Sequence, residues 1–98
     1  PEAGAEELDK HVEVMNEHKE MVIFAKSHTD NRGSDRYNLN LSDRRAKSTV
    51  QYIISKGIAK DRITGQGFGE SEPKVVCDEC SEEEHAQNRR SEFLIVKK

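Results

Sequence analysis

The short apolar run Met21-Val22-Ile23-Phe24-Ala25 is the feature that most constrains the fold of this chain. Its β-branched and aromatic centre favours a strand, and its apolar character at successive positions is typical of a strand that is covered on both faces. The polar segment 27–34 follows, in which Gly33 can adopt a positive φ, so we expect the chain to turn there. The run therefore predicts a buried central strand, with the turn at its carboxyl end, where open α/β sheets bind ligands.

The rest of the chain predicts helices alternating with strands. Leu8, Val12 and Met15 recur on one helical face, and Gly57 stands where a helix cap belongs. The predicted elements are helices over residues 3–18, 35–56 and 82–89 and strands over 62–67 and 92–96. This order predicts an α/β sandwich of two layers, with a mixed sheet packed on helices. Because the first helix begins almost at residue 1, we expect the strand that would complete its βα unit to precede Pro1.

Composition sets limits on the size and the partners of the chain. Its 98 residues suffice for one domain, 1–98, which we interpret as an N-terminally truncated fragment of a larger protein. The net charge of −3, with basic and acidic residues interspersed, argues against binding nucleic acid. No stretch approaches the roughly eighteen apolar residues that span a membrane, and no basic-then-apolar leader is present, so we expect neither an anchor nor a signal peptide in this chain.

The two cysteines form the motif Cys77-Asp78-Glu79-Cys80. This spacing is shared by redox motifs, half zinc sites and short disulfides, so it does not decide between them. A metal or redox site would use Cys77, Cys80 and His85, but zinc needs a further ligand and the acidic surroundings disfavour a thiolate. A protein of that class is one alternative interpretation of the sequence.

A series of short motifs runs through most of the chain. It extends from His28-Thr29-Asp30-Asn31-Arg32-Gly33 through Leu41-Ser42-Asp43-Arg44-Arg45-Ala46. It continues in order as Gly57-Ile58, Asp61-Arg62-Ile63, Gly67-Phe68-Gly69-Glu70, Pro73 and Asn88-Arg89-Arg90. This series resembles the signature of the OmpA-like C-terminal domain family, and the resemblance covers nearly the whole chain.

This resemblance implies a βαβαβ sandwich that binds peptidoglycan non-covalently through the meso-diaminopimelate of the stem peptide, with no reaction and no cofactor. It implies a location in the Gram-negative periplasm, with a tether to the outer membrane in the part of the protein before Pro1. In the family, the Asp of the His-Thr-Asp motif holds the ligand's ammonium and the Arg before Ala holds its carboxylate. These positions are Asp30 and Arg45. The family's first strand, with a Phe-Asp segment that also lines the pocket, would lie before Pro1.

Physical chemistry supports the same pair, because a zwitterionic centre is recognised by the opposite pair of charges. Asn38, Leu41 and Arg45 lie at i, i+3 and i+7, so they share a helix face, whereas Arg44 points about 100° away. We expect that face to line the site, with Thr29 and Arg89 as further ligand-binding candidates. Taken singly, Asp30 is typical of a turn, Arg45 of a solvated helix face, and Arg89 of a partner for Glu82 to Glu84.

Three further expectations follow from the resemblance. An oxidising compartment favours a local disulfide between Cys77 and Cys80. A bare sheet edge invites pairing with a second copy of the chain. The domain could also have kept the fold for assembly and lost the ligand, which is the other alternative to peptidoglycan binding.

Overall fold

The structure, a computed structural model, describes residues 5–97, and expectations that fall on residues 1–4 and 98 lie outside this range. The elements are α1 (Ala5–Glu17), β1 (Val22–His28), α2 (Asp35–Ser55), a 3₁₀ turn (Lys60–Arg62), β2 (Ile63–Gly69), α3 (Glu82–Asn88) and β3 (Arg90–Lys97). Within the described chain, no helix is both long and apolar enough to cross a membrane. The alternation of helix and strand is the one predicted from the sequence.

The sheet has three strands in the order β2-β1-β3, so β1 is the central strand, as predicted. β1 runs parallel to β2, with Ile23 opposite Ile63, and antiparallel to β3, with Ile23 opposite Ile95. The mixed α/β fold class is therefore confirmed. The expected strand before Pro1 lies outside the described residues.

The burial of β1 corrects one expectation. Ile23 and Ala25 are buried, but Val22 and Phe24 are only half-buried, so one face of the strand is covered more completely than the other. On the less covered face, the ring of Phe24 meets the edge of Phe68, at 6.3 Å between centroids. The apolar run in the sequence therefore predicted burial of both faces of β1, whereas the structure buries only one face fully.

The strands are also longer than predicted, and in β1 polar residues continue the strand. The sequence predicts a turn that includes Ser27 and His28, but they pair with Gly67 and Gly69 on one side and with Ser91 and Arg90 on the other. β2 likewise continues through Phe68 to Gly69. Backbone pairing does not depend on side-chain polarity, so a periodicity argument ends such strands too early.

The interior divides into two regions of different chemistry. We call the first the apolar half; it contains the core cluster of Leu8, Val12, Met15, Met21, Ile23, Ile53, Ile58 and Ile63. We call the second the polar half; it contains buried polar residues around the carboxyl end of β1, namely Ser27, His28, Thr29, Asp30, Asn38, Ser42, His85 and Asn88. The apolar half joins α1 to the sheet, and the polar half gathers the predicted ligand-binding segment.

A close backbone approach holds α2 against β2 in the polar half. A Cβ atom on Gly67 would lie 2.2 Å from the backbone nitrogen of Asp43, so no larger residue fits there. The backbone N–H of Gly67 donates to Asp43 Oδ1 at 2.7 Å, and that of Gly69 donates to Ser42 Oγ at 2.8 Å. These contacts fix the first half of α2 beside the strand ends.

Candidate functional site

Asp30 lies directly beyond the carboxyl end of the central strand. The backbone N–H of Thr29 donates to Gly69 O at 2.9 Å, which extends the pairing of β1 with β2 by one residue. The Thr29 hydroxyl donates to the Asp30 carbonyl at 2.9 Å. Asp30 is consequently held in place, with a side chain only 8% exposed.

Two arginines surround the carboxylate of Asp30. Its Oδ2 accepts hydrogen bonds from Arg32 Nη2 at 2.7 Å and from Arg89 Nη1 at 2.8 Å, and its Oδ1 accepts the backbone N–H of Arg32 at 3.0 Å. Burial acts to raise the pKa of Asp30, but the hydrogen bonds from Arg32 and Arg89 outweigh it, so the pKa lies well below the usual range. Asp30 is thus a buried carboxylate that stays ionised.

The same two arginines also contact Glu82, the first residue of α3. Glu82 Oε2 accepts from Arg32 Nη1 at 3.1 Å, and Glu82 Oε1 accepts from Arg89 Nη2 at 2.9 Å. We call Asp30, Arg32, Glu82 and Arg89 the Asp30 network. It joins the loop after β1 to both ends of α3, and it brings two positive and two negative charges together.

The segment before α3 is fixed by a disulfide and a capping box. Cys77 and Cys80 form a disulfide, as predicted. Ser81 then caps α3: its hydroxyl accepts the Glu84 N–H while the Glu84 carboxylate accepts the Ser81 N–H. Asn31 Nδ2 donates to the Cys77 carbonyl at 3.2 Å, so this segment also contacts the loop that carries Asp30.

Two cavities flank this region. The larger, of about 530 Å³, lies between α2 and the end of β2 and is lined by Asp35, Leu39, Gln66, Gly67, Phe68, Gly69, Glu70 and Ser71. The smaller, of about 160 Å³, we call the Thr29 cleft; it is lined by Thr29, Asn31, Glu70, Pro73, Val75, Val76, Cys77 and Asn88. Thr29 and Asn31, the residues on either side of Asp30 in the chain, line this cleft, whereas Asp30 itself does not.

Comparison with known proteins identifies the family. The model of the OmpA family matches residues 1–89. The chain belongs to the OmpA family. This OmpA-family domain is 36% identical over 84 residues to a peptidoglycan-associated lipoprotein of Mesorhizobium japonicum; the match covers 86% of the domain and 49% of that protein. The domain thus spans about half the length of that relative.

Solved structures agree with this assignment. The crystal structure of the peptidoglycan-associated lipoprotein from Burkholderia pseudomallei superposes with a TM-score of 0.80 at 27% identity, covering 90% of this OmpA-family domain and 73% of that chain. The cell wall anchor of the T6SS from Pseudomonas aeruginosa superposes with a TM-score of 0.72 at 27% identity, over 88% of the domain and 61% of that chain. None of these relatives bears the name of an enzyme.

The structure brings some of the predicted site residues of this OmpA-family domain together. Arg89 contacts Asp30 directly, and it also pairs with Glu82, as its alternative interpretation predicted. Asn38 is buried and donates to Glu70 Oε1 at 2.9 Å, so it supports a wall that both cavities share. Thr29 lines the cleft beside Asp30.

Arg45 and Leu41 lie further along α2. Both are half-buried, whereas Arg44 is exposed, which agrees with the different directions predicted for the two arginines. Neither Arg45 nor Leu41 lines the two cavities described above. Their part in ligand binding therefore stays a prediction.

The cysteine segment of the OmpA-family domain differs from the metal or redox site considered above. The cysteine sulfurs are bonded to each other, and Glu84 is the third residue of that cluster, with potential ligand atoms within 4.8 Å of one another. His85 is not a member of the cluster. A thiolate site on Cys77, Cys80 and His85 does not fit this arrangement.

Sequence reasoning missed three participants in the site. Arg32 and Glu82 complete the Asp30 network, and Glu70 separates the two cavities. Arg32 belongs to the recognised signature, and the acidic run Glu82 to Glu84 was a predicted partner for Arg89. The sequence therefore contained these residues in recognisable motifs, but it did not predict which carboxylate pairs with which arginine.

Proposed function

We propose that this domain binds cell-wall peptidoglycan non-covalently through the diaminopimelate of the stem peptide, without catalysing a reaction. Asp30 accepts the ammonium of the ligand, and Arg45 donates to its carboxylate. The observation that carries the proposal is the buried, ionised carboxylate of Asp30, whose neighbours in the chain, Thr29 and Asn31, line the Thr29 cleft. A carboxylate out of water needs cations around it, and an ammonium group is one such cation.

The relatives support the biological setting of this proposal. Their names associate one with peptidoglycan and identify another as a cell wall anchor. We accordingly place the domain in the periplasm, where it anchors an outer-membrane protein or lipoprotein to the wall. The tether would be the part of the parent protein before Pro1.

The residue types suit a zwitterionic ligand. A guanidinium such as that of Arg45 can place two parallel hydrogen bonds on a carboxylate, which a lysine ammonium cannot do. Thr29, Asn38, Leu41 and Arg89 complete the proposed set. Of these, Thr29 lines the Thr29 cleft and Arg89 already contacts Asp30.

The direct test is sedimentation of the domain with purified peptidoglycan sacculi, together with NMR titration with meso-diaminopimelate. Asp30→Asn and Arg45→Gln should each weaken binding about ten-fold or more, because hydrogen bonds between charged groups contribute roughly 1.5–3 kcal/mol. The titration should shift the backbone resonances of residues 29–45.

Matched controls come from the same chain. Asp61→Asn and Arg44→Gln remove one charge of the same sign at exposed positions, and both variants should bind like the original domain. If Asp30→Asn and Arg45→Gln cosediment with sacculi as well as these controls do, the assignment of the site is wrong.

A specific observation favours a second candidate, an assembly domain without ligand. Asp30 already has two arginine partners, so a purely structural role would leave no charge unpaired. Under this alternative, Asp30→Asn lowers the stability of the domain while the original protein does not cosediment with sacculi. The same experiment therefore decides between the two functions.

Pairing with a second copy is a further proposal, for the edge of the sheet. β3 lies at one edge of the described sheet and exposes Leu94, Ile95 and Val96 at 45%, 50% and 65%. Unpaired backbone groups beside exposed apolar side chains favour strand pairing between molecules. Light scattering over a range of protein concentrations measures whether dimers form.

A further inference from the structure

We infer that Arg32 occupies the place on Asp30 that the ammonium of a ligand takes, and that Glu82 is the positioning residue that holds Arg32 there. The inference rests on the proposed function and concerns the same site. It predicts that replacing Arg32 with an uncharged residue increases the affinity of the domain for its ligand.

The first step is the capacity of the Asp30 carboxylate. Its two oxygens offer about four lone-pair positions. Three hydrogen bonds converge on Oδ2, from Arg32 Nε and Nη2 and from Arg89 Nη1, whereas Oδ1 accepts one, from the backbone N–H of Arg32. Oδ2 is therefore fully occupied, and an ammonium that binds this oxygen has to displace a donor that is already bound.

The second step identifies the donor that leaves. The Arg32 side chain is 53% exposed and lies on the loop after β1, whereas that of Arg89 is 32% exposed. Arg89 is also held at its backbone, where its N–H donates to His85 O at 3.0 Å, and the next residue begins β3. Arg32 breaks three side-chain hydrogen bonds when its guanidinium moves away, against two for Arg89, but its greater exposure lets water replace them where it lies.

The third step concerns what holds Arg32 in place. Its Nη1 donates to Glu82 Oε2 at 3.1 Å, so the guanidinium joins two carboxylates. The backbone of Glu82 is fixed by the capping box at Ser81 and by the disulfide that precedes it. Neutralising Glu82 therefore removes both a hydrogen bond and a counter-charge from Arg32.

The fourth step is the consequence for selectivity. With Arg32 in place, two cations lie within hydrogen-bonding distance of one carboxylate, and they repel an approaching ammonium. After Arg32 leaves, Arg89 remains beside Asp30 and can face an anionic group of the ligand. A ligand with adjacent ammonium and carboxylate groups then compensates for the displaced contacts, whereas a simple amine does not.

The test is isothermal titration of the 98-residue chain with free meso-diaminopimelate. Arg32→Gln should lower the Kd roughly three- to ten-fold, which is the scale of one or two net hydrogen bonds. Glu82→Gln should lower it by about half that factor, because it loosens Arg32 without removing it; Arg89 also loses this counter-charge but keeps its own hydrogen bond to Asp30. Arg32→Lys keeps the competing charge and should stay within about two-fold of the original Kd.

Controls and contrary outcomes separate this inference from the proposed function. Arg36→Gln and Glu83→Gln remove the same charges at exposed positions and should leave the Kd unchanged. If the original domain binds and Arg32→Gln binds with equal or lower affinity, the inference is wrong while the proposed function stands. If neither the original domain nor any variant binds, both are wrong.

Discussion

The apolar half and the polar half of this domain are stabilised in different ways. In the apolar half, Leu8, Met15 and Ile53 are completely buried and contact other hydrocarbon side chains. In the polar half, Asn88 is also buried, but its amide accepts the Val75 N–H at 2.8 Å and donates to the Val75 carbonyl at 3.0 Å. One half is therefore held mainly by packed volume and the other by paired hydrogen bonds.

This difference indicates which half of the domain can bind a polar ligand. A region held by packing tolerates no unpaired polar group, whereas a region held by hydrogen bonds can exchange one partner for another. The polar half includes a residue that is not fully paired: both ring nitrogens of His28 lack a hydrogen-bond partner among the described residues. Burial, followed by the charge of Arg90, lowers the pKa of His28, which favours the neutral form of the ring that stacks on Phe68.

The largest expected effect is in the apolar half. Ile53→Ala should lower the free energy of unfolding by about 2–5 kcal/mol, because it leaves a cavity at a fully buried position. Urea denaturation measures it, with the exposed Gln51→Ala as the control, expected to change stability by less than about 0.5 kcal/mol. A loss below about 1 kcal/mol for Ile53→Ala would mean that packed volume does not dominate this half.

The next largest effect is expected in the polar half, from a methyl group added at Gly67. Gly67→Ala should cost about 3 kcal/mol, since its methyl group would meet the backbone of Asp43 and force α2 away from β2. The same denaturation measurement applies, and Thr64→Ala on the exposed face of β2 is the control, expected to cost below about 1 kcal/mol. Equal stabilities of the two variants would contradict the close approach of α2 and β2.

The smallest expected effect is the pH dependence of the stability that Asp30 contributes to the polar half. The folded-state pKa of Asp30 lies below its unfolded value of about 3.9, so its contribution is fully present above about pH 4 and is lost as the pH falls toward the folded value. Asp30→Asn should therefore lose less stability than the original domain between about pH 5 and pH 2. Urea denaturation at a series of pH values measures this slope, and Asp61→Asn should retain the original slope.

The sequence predicted the order of the elements because the apolar positions repeat with clear periods. The core residues Leu8, Val12 and Met15 fall on one face of α1, as their spacing indicated. It did not predict that β1 extends to His28, because the last strand residues are polar and their backbone pairing leaves no periodic signal. Both observations follow from the fact that periodicity reports burial by hydrocarbon only.

The candidate site was predicted in part. Asp30 was singled out by its match to the Asp of the family's His-Thr-Asp motif, and Arg89 was predicted either to bind ligand or to pair with an acid of Glu82 to Glu84. The Asp30 network could not be derived, because Arg32 and Glu82 are fifty positions apart in the chain and meet only through the tertiary fold. Local sequence patterns do not predict which residues from distant parts of the chain contact each other in the fold.

The position of β3 has a consequence for the timing of folding. β3 pairs directly with the central strand, with Ile23 opposite Ile95, although it is the last of the described elements. Contacts between segments so distant in sequence require a large loop to close, which slows folding. β1 therefore lacks one neighbour until β3 pairs with it, and the sheet remains incomplete, with backbone groups of its central strand exposed, up to that moment.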